Sequence, residues 1–364
     1  MKKINKVSYI ATMVIKLLTR IGNFIKYKKR KIGKSRELNM YNSYYLLAAK
    51  QLDISIKIFD NHIIQLRKDE KVQNIWSAWT DLDGEASLMI AGDKPLCYDL
   101  LEEENIPLPN YKVLKRGDYV GALEFREKCN GPVVIKPARN TGDASGVFVK
   151  LKRDIDIWRA VCSAGALSDE IIVEEYFEGI NCRLLFCNGR FLAASSRIPR
   201  YIITDGINTI KSLIKKENAG RVPVGEYYKF DELRRPIRYE IPLDRETKKM
   251  LKEKEYTLES VPPKGERVSL QRICHWYYGG EYYDVSSDIS SQLVEICKKA
   301  VSKIGIKLAG VDIITKDIET VTERSFVINE INTTPGLLVH YEVQNQDKMR
   351  PVAVEILKSM FSML

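Results

Sequence analysis

The strongest constraint in the chain is a pair of apolar runs that carry polar groups where a core strand tolerates them poorly. Gly310-Val311-Asp312-Ile313-Ile314 and Val327-Ile328-Asn329-Glu330-Ile331-Asn332 read as two strands, Ala309 to Ile314 and Ser325 to Ile331, joined by a polar, charged loop. Glu330 and Asn332 are two apart, so they share one strand face. Asp312 is placed at the end of the neighbouring strand. Acids at alternating positions in apolar strands are costly unless paired. Two carboxylates and an amide oxygen that converge suit Mg²⁺, which takes hard oxygen ligands together with substrate phosphates.

The rest of the chain mixes helices and hairpins without a regular βαβ alternation, which points to an α+β fold. Leu38 to Lys50 reads as a helix, Ile54 to Phe59 as a strand, and His62 to Leu66 as its partner. Residues 71–89 read as irregular, up to a short helix or strand near Leu88. Pro95 to Glu104 reads as a helix, with Pro95 suited to its first turn. A second helix begins near Asp118 and runs to Asn130. Cys182 to Cys187 and Phe191 to Arg197 form a hairpin closed by Asn188-Gly189, a strong two-residue turn signal. Ser287 to Ile304 is an amphipathic helix stopped by Gly305.

The net charge of +10 is concentrated at one end. Residues 1–36 hold twelve Lys or Arg and no acid, and the remainder carries 46 basic against 48 acidic groups. In this arm Ile10, Met13, Val14, Leu17, Leu18, Ile21, Phe24 and Ile25 draw one stripe along a helix. Lys16 and Arg20 interrupt it, which excludes a membrane span or a signal-peptide core. A basic amphipathic helix of this kind suits contact with anionic lipid or a protein partner, or docking on the enzyme body. No aromatic-interleaved platform accompanies the charge, so nucleic acid is not the expected partner. The seven cysteines are scattered, with no C-x-x-C pair, and there are three histidines. This pattern speaks for reduced thiols in a cytoplasmic protein rather than a zinc site.

Two further segments suit nucleotide chemistry. Val133 to Lys136 is a short buried strand whose terminal Lys136 presents a fixed positive charge. The small polar loop that follows, through Gly146, can offer backbone N–H groups to phosphate. Read alone, the same residues also describe a plain hairpin with a snorkelling lysine. Ile171 to Glu175 is a strand leading, in the segment to Gly179, to an exposed edge, where Glu174, Glu175, Tyr176 and Phe177 can border an adenine and ribose. Read alone, it is also a strand end with solvated acids. Gly206 to Ser212 lacks the glycine before its lysine and is not a P-loop. No protein-kinase catalytic-loop signature is present.

These residues together resemble the ATP-grasp portion of cyanophycin synthetase and of bifunctional glutathione synthetases. The resemblance covers roughly residues 88–361. It is carried by Ile90-Ala91-Gly92-Asp93-Lys94 with Ile106-Pro107-Leu108-Pro109, by Gly179 to Arg183, and by Ala193 to Pro199 with Asp205-Gly206. Tyr256 to Glu266, Gly279-Gly280 with Asp284-Val285, Asn329 to Leu337, His340 and Arg350-Pro351-Val352 complete it. It implies an ATP-grasp fold, two α/β lobes gripping ATP, over residues 90–364. A small α/β region at 37–89 and the basic amphipathic arm at 1–36 precede it. It implies that Lys94 and Lys136 bind nucleotide and that Asn181 stands at the ribose. Asp312, Glu330 and Asn332 would hold Mg²⁺, as two ions, with Mn²⁺ as a substitute. Arg183, Arg197 and Arg272 would meet phosphate or the substrate carboxylate.

The sequence departs from the family in three places. The loop from Lys136 to Gly146 is one residue longer. Asn181 replaces the acid usually found at the ribose. Cys274-His275-Trp276-Tyr277-Tyr278 is bulky where the family has a small polar segment. That implies either an aromatic or flat substrate, or rings that pack inward around an ordinary pocket. The 364 residues contain no Mur-ligase-like or glutamate–cysteine ligase domain, so neither family product is expected from them alone. The expected function is an ATP-dependent ligase joining a small acid, such as an amino acid, to an amine through an acyl phosphate. Two alternatives stay open, a peptide-modifying ligase and a catalytically degenerate nucleotide-binding scaffold. Homo-oligomerisation is left open.

Overall fold

The structure is a computed structural model that describes residues 2–30, 40–60, 62–139, 141, 145–221, 240–272, 274 and 280–363. Its centre is a five-stranded sheet of order β13-β10-β9-β14-β15, made of β9 (Ile180–Cys187), β10 (Arg190–Ile198), β13 (Glu281–Asp284), β14 (Leu308–Thr315) and β15 (Phe326–Thr333). The β9–β10 hairpin turns at Asn188 and Gly189, with φ of 48° and 73°. Those paired positive values are what a two-residue turn matching strand twist requires. Asp312 lies inside β14 rather than at its end as the sequence pattern indicated, because the strand continues to Thr315.

Strand alternation splits the apolar side chains of this sheet between two cores. Cys182, Leu184 and Phe186 point to one face with Val311 and Ile313, beneath α9 (Ser291–Ile304) and α4 (Lys94–Glu102). Ser290 caps α9 through its side chain, and Gly305, at φ 74°, ends it. The helix therefore begins later than the Ser287 expected. Leu185, Cys187 and Leu308 point to the other face. There they meet α2 (Met40–Gln51), α10 (Leu338–Tyr341), α11 (Val352–Met360) and a second sheet.

That second sheet is an antiparallel meander of β1 (Ser55–Ile58), β2 (Ile63–Lys68), β3 (Lys71–Trp76) and β4 (Trp79–Thr80). It is followed by α3 (Glu85–Gly92). The expectation of irregular chain over 71–89 is therefore corrected. Lys71–Trp76 pairs along the whole of β2 across the two-residue turn Asp69-Glu70, burying Ile75 beside Ile64 and Leu66.

A separate lobe holds β5 (Tyr111–Lys115), α5 (Tyr119–Cys129), β6 (Val133–Pro137), β7 (Phe148–Leu151), α6 (Asp154–Leu167) and β8 (Glu170–Glu175), with strand order β5-β8-β6-β7. Asp118 caps α5 by accepting from Gly121 N at 3.0 Å. A smaller unit of β11 (Tyr201–Ile203), α7 (Ile210–Asn218), α8 (Arg245–Glu253) and β12 (Arg267–Ser269) has its own apolar cluster around Ile214 and Leu251. The basic arm forms α1 (Lys2–Arg30), which packs along α6 and α5 of the separate lobe.

Candidate active site

The central sheet and the β5–β8 lobe face each other across a cavity of about 1220 Å³. On the sheet side, three strands bring one row of side chains to the cavity. Glu330 on β15 pairs in register with Asp312 on β14, which pairs with Arg183 on β9. Directly paired residues project to the same face. Arg183 reaches Asp312 in bidentate fashion, Nε to Oδ1 at 2.7 Å and Nη2 to Oδ2 at 2.8 Å. Arg197 on β10 grips the same carboxylate at 2.7 and 3.1 Å. Burial raises the Asp312 pKa, but the two guanidiniums outweigh it and hold the carboxyl below its ordinary range. Glu330 Oε1 receives Lys94 Nζ at 3.1 Å, and Lys94, at the start of α4, is itself buried.

On the lobe side, Lys136 sits near the end of β6 as a buried cation. Its Nζ lies 2.7 Å from Glu174 Oε1 on β8 and 3.0 Å from the Tyr98 hydroxyl. The Tyr98 hydroxyl in turn lies 2.8 Å from Glu174 Oε1 and 2.7 Å from the Asn329 carbonyl oxygen. Burial first, and Glu174 second, raise the Tyr98 pKa well above its usual value, so it stays a neutral phenol. This cluster links the β6–β8 lobe to β15. Beyond Glu175 the chain crosses between lobes. Lys150 Nζ sits 5.3 Å from the Tyr176 ring and Lys316 Nζ 5.7 Å from that of Phe177. Val134, Ile314 and Val327 give the cavity an apolar patch beside this crossing.

The comparisons with known proteins can be set beside this geometry. No protein-family model matches the chain. Cyanophycin synthetase of Trichormus variabilis is 29% identical over 302 residues, 82% of this chain and 32% of that protein. The glutathione biosynthesis bifunctional protein of Clostridium perfringens is 26% identical over 325 residues, 88% of this chain and 41% of that protein. The chain thus spans about a third of the length of the curated relatives it matches. The crystal structure of a bifunctional glutathione synthetase from Pasteurella multocida superposes with a TM-score of 0.62 at 20% identity, covering 90% of this chain and 44% of that one. The fold is ATP-grasp. The chain is a homologue of part of cyanophycin synthetase and of the bifunctional glutathione protein.

Of the residues singled out in the sequence, Lys94, Lys136, Glu174, Glu175, Tyr176, Phe177, Asn181, Arg183, Arg197, Arg272, Asp312, Glu330 and Asn332 line the ATP-grasp cavity. Gly146 does not. It holds φ at 74° between Ser145 and Val147, which do, and an added Cβ would sit 2.6 Å from Leu167 Cδ1. Arg272 is held by Glu246, Nε to Oε1 at 3.1 Å, and by Glu253. Glu174 is buried against Lys136 instead of standing open to a base, whereas Glu175 accepts from Asn110 Nδ2 at 2.6 Å on the rim. The middle of the loop after Lys136 and the aromatic run at 275–279 lie outside the described residues.

Sequence reasoning missed Tyr98. A signal was present, since Lys94 and Tyr98 are four apart and so share a face of α4. It also missed the Arg139 bridge, in which Nε binds Asp93 Oδ2 at 2.6 Å and the guanidinium also meets Glu170. The bridge ties the loop after β6 to the start of α4.

The donor set on the sheet fits a divalent cation. Asp312 and Glu330 sit opposite each other, and Asn332 follows on the same face. The Asn332 Nδ2 donates to the Gly310 carbonyl at 3.3 Å, which leaves its oxygen as an acceptor. Among the described residues no cage of three or more His, Cys, Asp or Glu forms. A cation here would therefore complete its shell from Asn332 and from phosphate oxygens, as Mg²⁺ commonly does.

Proposed function

We propose that this chain is an ATP- and Mg²⁺-dependent carboxylate–amine ligase that makes an amide bond through an acyl phosphate and releases ADP and phosphate. The acid is an amino acid or another small carboxylate, and the acceptor is a small amine. The observation that carries this reading is the row Glu330–Asp312–Arg183 on the sheet, facing Lys136 of the opposite lobe across one cavity. A carboxylate becomes a useful electrophile only once one of its oxygens carries a phosphoryl group and can leave with it as phosphate when the amine attacks. That needs cations on both sides of the transferred group and a site closed to water.

The residues divide that work. Lys94 and Lys136 bind phosphate oxygens, and Glu174 with Tyr98 fixes where the Lys136 ammonium points. Asn181 hydrogen-bonds the ribose. Glu175, Tyr176 and Phe177 border the adenine over the apolar patch of Val134, Ile314 and Val327. Asp312, Glu330 and Asn332 would hold the divalent cation, Mg²⁺ or Mn²⁺, which would supply charge neutralisation for phosphate. Arg183 and Arg197 are bound to Asp312 at the cavity, within reach of the reacting oxygens. There their planar forks suit a carboxyl phosphate and the tetrahedral oxyanion formed on amine attack. Arg272 meets the substrate carboxylate. The catalytic unit is assigned to residues 90–364, buttressed by 37–89.

The test is nucleotide turnover across a panel of acids and amines with product masses recorded. ADP and orthophosphate that appear only with an acid–amine pair are the expected result, and Glu330→Gln abolishes most of it while leaving the circular dichroism unchanged. Full activity in that variant, or AMP with pyrophosphate as products, contradicts the reading.

A further inference from the structure

The arm helix α1 docks through a side other than its apolar stripe. Its contact face is small and polar. Ser8 and Thr12 are fully buried, Trp158 Nε1 donates to Ser8 Oγ at 3.0 Å, and Asn5 Nδ2 donates to Asp118 Oδ1 at 2.8 Å. The helices approach closely because glycines allow it. A Cβ at Gly165 would lie 3.1 Å from the Thr12 methyl, and one at Gly117, at φ 77°, would lie 2.7 Å from the Tyr9 backbone. This interface holds the helix in one rotation about its axis.

That rotation turns the apolar stripe outward. Val7, Ile10, Val14, Leu17 and Leu18 are each 51–62% exposed, on a face turned away from Ser8 and Thr12. A helix free to choose would bury such a stripe. Here the stripe is presented, and contiguous exposed apolar surface of this kind marks a contact site. The arm's own sequence carries one sign of charge, since residues 1–36 hold twelve basic groups and no acid. A second copy of the arm would bring like charges together. An anionic surface with an apolar interior complements both features at once. Among the described residues no helix is long and apolar enough to cross a membrane, so contact would lie in the plane of the interface.

We propose that the exposed face of α1 binds the surface of anionic lipid bilayers, with its apolar stripe inserted among the acyl chains and its basic residues on the headgroups. The lobe carrying Lys136 is then held against the membrane through the Ser8–Trp158 contact. This inference stands apart from the ligase reading, because it uses no residue of the cavity.

The test uses the full chain and extruded vesicles of phosphatidylcholine with or without added phosphatidylserine. Co-sedimentation with the anionic vesicles only, weakened by salt, is expected. In Leu17→Trp, indole emission should shift to the blue on binding, and the double change V14E with L17E should weaken binding about tenfold or more. Both sites are exposed, so folding can be checked independently by circular dichroism. Three results would overturn the proposal. One is no binding to anionic vesicles at low salt. Another is binding without an emission shift. The last is a concentration-dependent dimer that V14E with L17E dissolves, which would make the stripe a subunit interface.

Discussion

Arg183 Nε lies 2.7 Å from Asp312 Oδ1, across adjacent strands and in direct register. A carboxylate assigned to metal binding is therefore also the counter-ion of a guanidinium assigned to the reacting oxygens. The two proposed roles are linked, because a cation drawing on the Asp312 lone pairs would compete with Arg183 for them.

Arg183→Lys tests that link. Arg197 still neutralises Asp312, so the melting temperature should change little. The bidentate fork is lost, and a lysine cannot replace it. Turnover should fall by about a hundredfold or more, the usual effect of removing one oxyanion donor. Steady-state kinetics beside thermal unfolding reads both quantities.

Lys136 and Glu174 form a buried pair, 4% and 2% exposed at the side chain. Removing either partner alone leaves an uncompensated buried charge and should destabilise the fold by about 3–5 kcal/mol. The double change Lys136→Met with Glu174→Gln should recover most of that stability and none of the ATP affinity. Denaturant unfolding and equilibrium nucleotide binding on all four proteins check it. Equal ATP affinity in the double variant and the parent would remove Lys136 from the phosphate site.

His340 on α10 is fully buried, and among the described residues neither ring nitrogen has a hydrogen-bond partner. Burial first, then Arg183 and Arg197, lower its pKa to about 3, with Asp312 opposing. The unfolded chain, where the ring titrates near 6.5, binds more protons below that pH. Stability contributed by the neutral ring is thus complete above pH 6.5 and is lost progressively toward pH 3. Asp312 acts in the same direction only below its ordinary value of 3.8. His340→Leu should therefore flatten the stability profile just below pH 6.5 by up to about 1.4 kcal/mol per pH unit. Parallel profiles for parent and variant would contradict this.

The sequence made the site more legible than its supports. Asp312, Glu330 and Asn332 were visible because polar groups inside apolar strands need a reason to be there. The Asn188-Gly189 hairpin and the Gly305 stop were visible because their backbone angles demand particular residues. Strand β3 was not, since its one buried apolar residue, Ile75, gives no alternating pattern and buries beside Ile64 and Leu66. Of the stripe on α1, Ile10, Met13, Val14, Leu17 and Leu18 are exposed, the side chains of Ile21, Phe24 and Ile25 lie outside the described residues, and the helix's rotation was hidden. That is set by Ser8 and Thr12 meeting Gly165 and Trp158, some 150 residues away.

The central claim is that an acid is activated by phosphorylation in the cavity between Lys136 and Glu330. It is tested most directly by labelling the carboxylate oxygens of the accepted acid with a heavy isotope and weighing the phosphate released in one turnover with ATP, Mg²⁺ and the amine. The account predicts one labelled oxygen in the orthophosphate, carried over when the amine displaces the acyl phosphate. Unlabelled orthophosphate alongside amide product would contradict it.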